Sequence, residues 1–191
     1  MSYAPAFEIG LWNAWIFMII YPLQWLAVVL MPKHIAQRVS HPSEVKKQQT
    51  SRIIPFLTEA IWIIAMLYSI FLPLRINTPF FYIGLCLFLL GFIILISASW
   101  SVIKTPQDLP FTRGLYRFSR HPMYVSMIIV YLGVSIAAVS WLFLLITIVT
   151  IFLQQNQMTR EEKYCCEKFG QVYSEYLNRT PRWIGLQRRA P

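Results

Sequence analysis

The residues of this chain best suited to chemistry fall in two short stretches. One is the basic and aromatic segment 105–124, TPQDLPFTRGLYRFSRHPMY, which ends in Arg120-His121-Pro122-Met123-Tyr124. The other is the acidic pair Glu161-Glu162. Proline is favoured at the first position of a helix, because the N–H it lacks would have no partner there. Pro122 therefore predicts a helix start, with Arg120 and His121 delivered to its N-terminus. Unpaired N–H groups and partial positive charge at such an end favour an anion. His121 and Tyr124 are spaced i, i+3 and share one helix face. Arg120 and His121 suit an anion and Glu161 or Glu162 a cation. Phe111, Tyr116 and Tyr124 suit an aromatic ring or an onium centre.

The elements that must position these residues are made for lipid. The chain is 57% hydrophobic and only 13% charged, where a soluble chain carries roughly 25% charge. Apolar runs cover about 9–31, 53–74, 80–103, 122–138 and 139–155. About 20 such residues cross a hydrocarbon core of roughly 30 Å. The expectation is an all-α integral membrane protein, a single membrane domain over 1–191. It has five transmembrane helices, and the last two form a C-terminal helical hairpin. Pro22 predicts a kink in the first run. Gly84 and Gly91 permit a close helix contact in the third, and Ser97 and Ser101 make one face small and polar near its end.

Charge sets the orientation. Basic residues gather in the loop 33–52 (Lys33, Arg38, Lys46, Lys47, Arg52), in the central segment (Lys104, Arg113, Arg117, Arg120) and in the tail from Arg160 onward. The opposite side has Arg75 alone. Five spans with the N-terminus outside put every basic segment, the C-terminus and the candidate site in the cytoplasm. The net charge of +9 is thereby explained by anionic lipid headgroups, with no nucleic-acid partner.

In the tail, Thr159-Arg160-Glu161-Glu162 has the form of a capping box, with Thr159 as N-cap and Glu162 at N3. It predicts a cytoplasmic amphipathic helix to about Asn178, with Gly170 as a weak point and Trp183 as an interfacial anchor. Glu162 then has a local duty and Glu161 has none, so Glu161 is the better ligand for a cation. Cys86, Cys165 and Cys166 lack metal-ligand or disulfide spacing and read as packing residues; no metal is expected. There is no dinucleotide fingerprint, phosphate-binding loop or nucleophile elbow, and the first apolar run does not read as a cleavable signal peptide. S-adenosylmethionine carries a carboxylate, an ammonium, a sulfonium and an adenine, and so would use all of these groups at once. Spacing alone leaves the ligand open.

One pattern narrows it. Gly114-Leu115-Tyr116, Arg120-His121-Pro122-x-Tyr124, Glu161-Glu162 and Phe169-Gly170-x-x-Tyr173-x-x-Tyr176, in this order and separation, resemble the isoprenylcysteine carboxyl methyltransferase family over about residues 105–183. Phospholipid N-methyltransferases and membrane sterol reductases look similar in the same region. The resemblance implies S-adenosylmethionine as cofactor, held by Asp108, Leu109, Pro110 and Phe111, by Tyr116, by His121, Pro122, Met123 and Tyr124, and by Glu161. It implies methyl esterification of the C-terminal carboxylate of an isoprenylated cysteine, with that lipid-modified cysteine and membrane lipids as partners. Two departures stand out. Asp108-Leu109-Pro110-Phe111 occupies the place of a His-x-Leu-Val type segment. Gln157 stands where the eukaryotic enzymes have an arginine associated with substrate, and Arg160 is the nearby alternative.

A carboxylate acceptor is already anionic and needs no general base, so no catalytic residue is assigned; Arg120 and Glu162 are the candidates. Alignment and exclusion of water would carry the rate. A phospholipid amine as the alternative acceptor must lose a proton, for which Glu162 is the candidate base. A sterol-reductase-like oxidoreductase with a reduced nicotinamide cofactor would instead use Arg113, Arg117 and Arg120 for phosphates.

Overall fold

The computed structural model describes residues 7–30, 53–106 and 108–187. The basic loop 33–52, and the notion that it covers the site, lie outside the described residues. Among those residues the regular structure is helical: α1 (Trp15–Met18), α2 (Ile20–Leu30), α3 (Ile53–Ile70), α4 (Pro79–Lys104), a 3-10 turn (Gly114–Arg117), α5 (Pro122–Ala137), α6 (Trp141–Phe169) and α7 (Gln171–Arg179). Helices α3, α4 and α6 are long and apolar enough to cross a membrane, while the segment Trp15–Leu30 and α5 are apolar but shorter. Side chains such as Ile63, Leu67, Leu90, Ile93 and Phe152 point outward and are exposed. Apolar surface of that extent suits a bundle solvated by lipid.

The first apolar run is not one helix. Its start is a turn tied to the end of α3, where Asn13 Nδ2 donates to the carbonyls of Glu8 at 2.6 Å and Ile70 at 2.7 Å. The helix then breaks at Ile19, three residues before Pro22, whose missing N–H removes an intrahelical bond at that point.

Helix α4 begins sharply because Thr78 caps it, its Oγ1 accepting from Phe81 N at 3.3 Å, with Pro79 in the first turn. Its buried positions are Gly84, Gly91, Leu95, Ala98 and Val102, a seam of mainly small residues facing α5. A Cβ on Gly84 would lie 2.5 Å from the Gly133 carbonyl, and one on Gly91 would lie 2.7 Å from Val130. Ser126 Oγ also donates to the Gly91 carbonyl at 2.8 Å. In lipid, where apolar side chains gain little by leaving solvent, close backbone approach and interhelical hydrogen bonds hold such a pair. This contact fixes the end of α4 relative to the start of α5, and hence both ends of segment 105–121.

The tail departs from the sequence expectation. The fifth apolar run and the start of the predicted amphipathic helix are one continuous helix of 29 residues, roughly 43 Å long. That exceeds the hydrocarbon thickness, so its polar C-terminal part projects from the apolar layer. Thr159 is not an N-cap: its Oγ1 donates to the Gln155 carbonyl at 2.9 Å within the helix. The intervening Gln and Met residues are good helix formers and supply no stop signal. The break comes instead at Gly170, whose φ of 59° is one a side chain disfavours, and α7 follows at once.

Candidate functional site

The site is assembled where α5 begins, where α6 projects beyond its apolar part, and where the tail after α7 returns. Pro122 occupies the first turn of α5 and His121 the N-cap position, without a capping bond from its side chain. The imidazole is used otherwise. Its Nε2 lies 3.1 Å from Glu162 Oε1 and its Nδ1 lies 3.4 Å from Glu161 Oε2. Only the imidazolium form can donate from both nitrogens. Burial pushes the His121 pKa down, but the hydrogen bonds and charges of Glu161 and Glu162 outweigh it, and the net shift is upward.

Glu162 is the hub. Arg182 grips it with two bonds, Nε to Oε1 at 3.1 Å and Nη2 to Oε2, and Arg120 Nη1 reaches Oε1 at 3.1 Å. Burial raises its carboxyl pKa, yet the bonds from His121 and Arg182 and the charge of Arg120 bring it down to about 2. A carboxylate so held is a permanent counter-ion and a very weak base. Glu161, on the neighbouring position of α6, accepts from the Tyr124 hydroxyl. Gln157, one turn earlier, is also hydrogen-bonded to Tyr124.

The tail delivers Arg182 by pairing its backbone with the segment before α5. Arg120 N donates to the Pro181 carbonyl at 3.0 Å, and Gly185 N to the Phe118 carbonyl at 3.0 Å. Ser119 Oγ donates to the Arg182 carbonyl at 3.2 Å and accepts from His121 N at 3.0 Å. On the other side stands the 3-10 turn. Tyr116 is buried against Ala98 and Val102 of α4, its ring centroid is 5.7 Å from that of Phe111, and its carbonyl accepts from the Tyr176 hydroxyl at 2.7 Å.

Residues 79–172 match the phospholipid methyltransferase family. The phospholipid methyltransferase match covers just under half of the chain and contains Tyr116, Arg120, His121, Tyr124, Glu161 and Glu162. It supports a membrane methyltransferase and does not single out the isoprenylcysteine branch. No curated protein matches this chain significantly.

Of the residues singled out in the sequence, Arg120, His121, Tyr124, Gln157, Glu161 and Glu162 converge in one bonded network. Phe111 and Tyr116 form its aromatic flank, and Met123 packs between that flank and the main core. Pro110 is buried, whereas Asp108 and Leu109 are exposed and enter none of these bonds. Arg160 is half-buried and likewise outside the network. Sequence reasoning missed Arg182 and the anchoring role of Tyr176. Tyr176 belongs to the Tyr-x-x-Tyr pattern, but nothing in the local spacing marks Arg182 among several basic tail residues. Its role arises from backbone pairing between segments some 60 residues apart.

Proposed function

We propose that this chain transfers a methyl group from S-adenosylmethionine to a lipid-borne nucleophile at the cytoplasmic face of a membrane. The observation that carries this is the Arg120–His121–Tyr124–Glu161–Glu162 network, lying wholly within the stretch that matches the phospholipid methyltransferases.

The residues fit the cofactor's groups. Glu161, oriented by Tyr124 and His121, would hold an ammonium. Arg120 Nε is buried and has no hydrogen-bond partner among the described residues, and it would serve a carboxylate. Phe111 and Tyr116 would flank an aromatic base, and Tyr124 and Tyr116 an onium centre. Pro110, Pro122 and Met123 would complete the walls. Asp108 and Leu109 fit least well, both being exposed. When bound, the cofactor supplies an electrophilic methyl group on a positively charged sulfur. The protein's part is to orient, to exclude water and to balance charge, and the locked Glu162 hub preorganises the floor on which that happens.

Two acceptors have specific support. A phospholipid amine is favoured by the family match. It must lose a proton, and Glu162, held near 2, is unsuited to take it. The carboxylate of a prenylated cysteine is favoured by the pattern from Gly114 to Tyr176 and needs no base. Gln157 and Arg160 would face that substrate. Calorimetric titration of the detergent-purified protein with S-adenosylmethionine tests the cofactor, and absence of binding rejects methyl transfer. Labelled methyl transfer to phosphatidylethanolamine against N-acetyl-farnesyl-cysteine then chooses the acceptor.

A further inference from the structure

On the far side of the 3-10 turn lies an open groove of about 720 Å³, between the last turns of α4 and the turn itself. Ile96, Ser97, Trp100 and Ser101 form one wall and Gly114, Leu115, Arg117 and Phe118 the other. Tyr116 packs into the core beside α4, and no residue of the Glu162 network lines the groove.

Three features define what fits there. The first is room kept open by small residues. Gly114 has φ +63°, and a Cβ on it would fall 2.4 Å from Ser101 Oγ. Ser101 Oγ in turn folds back onto the Ser97 carbonyl at 2.8 Å and leaves the wall low. The second is charge. Arg117 lines the groove, and Lys104 Nζ sits 4.8 Å from the centroid of the Trp100 ring in its wall. Among the described residues neither cation is in an ion pair, and no carboxylate lines the groove. The third is the pairing of exposed apolar and aromatic surface (Ile96 52%, Trp100 57%, Phe118 49% exposed) with those cations at the end of a membrane-length helix. Tryptophan at a helix end and an arginine fork beside it are the chemistry of the headgroup layer, apolar on one side and anionic on the other.

We propose that this groove binds a glycerophospholipid by its phosphodiester, with Arg117 and Lys104 on the phosphate and Ile96, Trp100 and Phe118 along the start of the acyl chain. The groove lies outside the methyl-donor network, so the inference stands whether or not the methyl-transfer reading does. A volume of this size is typical of small-molecule sites and takes a headgroup with the first carbons of its chains.

Native mass spectrometry of the intact protein in detergent tests it, with short-chain phosphatidylglycerol, the matching diacylglycerol and inorganic phosphate as probes. The wild type should hold phosphatidylglycerol and bind diacylglycerol at least about tenfold more weakly, the loss expected when a charge-assisted contact is absent. Arg117→Gln should lose a similar factor for phosphatidylglycerol, and Ser101→Leu, which fills the groove, should lose binding altogether. Arg117 is exposed, so its variant should fold normally even if the serine variant does not. Equal binding of phosphatidylglycerol by wild type and Arg117→Gln, or equal binding of diacylglycerol by the wild type, overturns the proposal. Inorganic phosphate binding as tightly as the lipid would assign the groove to free anions and overturn it too.

Discussion

His121 Nε2 and Glu162 Oε1 lie 3.1 Å apart, and the same oxygen also meets Arg120 Nη1 at 3.1 Å. One carboxylate therefore joins the start of α5 to α6, while Arg182 ties the returning tail to the same point. With three cationic groups around it, Glu162 is the electrostatic keystone of the assembly. Breaking a buried pair by removing one partner leaves the others uncompensated. Glu162→Gln should therefore destabilise the protein by about 3 kcal/mol, read as a lowered midpoint in detergent thermal unfolding. A midpoint equal to that of the wild type would show that the hub contributes nothing.

Glu161 stands one residue away with a different assignment. It accepts from Tyr124 and faces His121, contacts that differ from the arginine pairs of the hub. Glu161→Gln should leave the thermal midpoint nearer that of the wild type than Glu162→Gln does. It should weaken S-adenosylmethionine binding about tenfold, the loss of one charged contact. Calorimetry at a temperature where both variants are folded makes the comparison. Equal affinities for the two variants would reject the division of labour.

The network also sets a pH window for stability. The Glu162 carboxyl is lowered from an ordinary 4.5 to about 2, so its contribution is present above 4.5 and is lost as pH falls from there toward 2. The His121 pKa is raised from an ordinary 6.5, so its contribution is complete below 6.5 and is lost as pH rises through the higher folded value. From these two groups, stability should be greatest between about pH 4.5 and 6.5 and fall on both sides. His121→Gln should flatten the alkaline limb and, because His121 helps hold the Glu162 carboxyl low, make the acid limb shallower as well. Thermal midpoints across pH 3 to 9 check this, and an alkaline limb unchanged in His121→Gln would assign the slope to other groups.

How much of this was readable from the residues follows from the range of the forces involved. Pro122 marks a helix start through a purely local restriction on its backbone, and α5 begins there. The small residues Gly84 and Gly91 mark a close contact, and the α4–α5 seam uses both. The capping-box pattern at Thr159 misleads because a Thr side chain can bond backward to a carbonyl inside a helix as readily as forward at its start. Continuity of the preceding helix decides between the two, and four residues of local sequence do not encode it. Arg182 was illegible for a related reason. What distinguishes it from Arg179 or Lys168 is the strand-like pairing of residues 181–185 with 118–120, a long-range arrangement with no local periodicity. Likewise, the continuous helix removes the capping duty that set Glu162 apart from Glu161, and what occupies Glu162 instead is Arg120, His121 and Arg182.

The last expected outcome concerns the link between the tail and the aromatic flank. The Tyr176 hydroxyl donates to the Tyr116 carbonyl at 2.7 Å, across 60 positions of sequence. Tyr116 is in the 3-10 turn, and the bond holds that turn onto α7 instead of leaving it to the short segment that carries it. Tyr176→Phe keeps the ring and its packing but removes the donor, so the buried carbonyl loses its partner. Such a loss costs roughly 1–3 kcal/mol. Because the Tyr116 ring stands beside the network of Tyr124 and Glu161, the proposed cofactor site predicts that the variant weakens S-adenosylmethionine binding several-fold while leaving the α4–α5 seam intact. Binding calorimetry and protection of α5 amides from hydrogen exchange separate the two effects. Reduced protection throughout α5 would mean that Tyr176 supports the whole bundle, whereas weakened binding with α5 protection unchanged would make it a positioning residue for the aromatic flank.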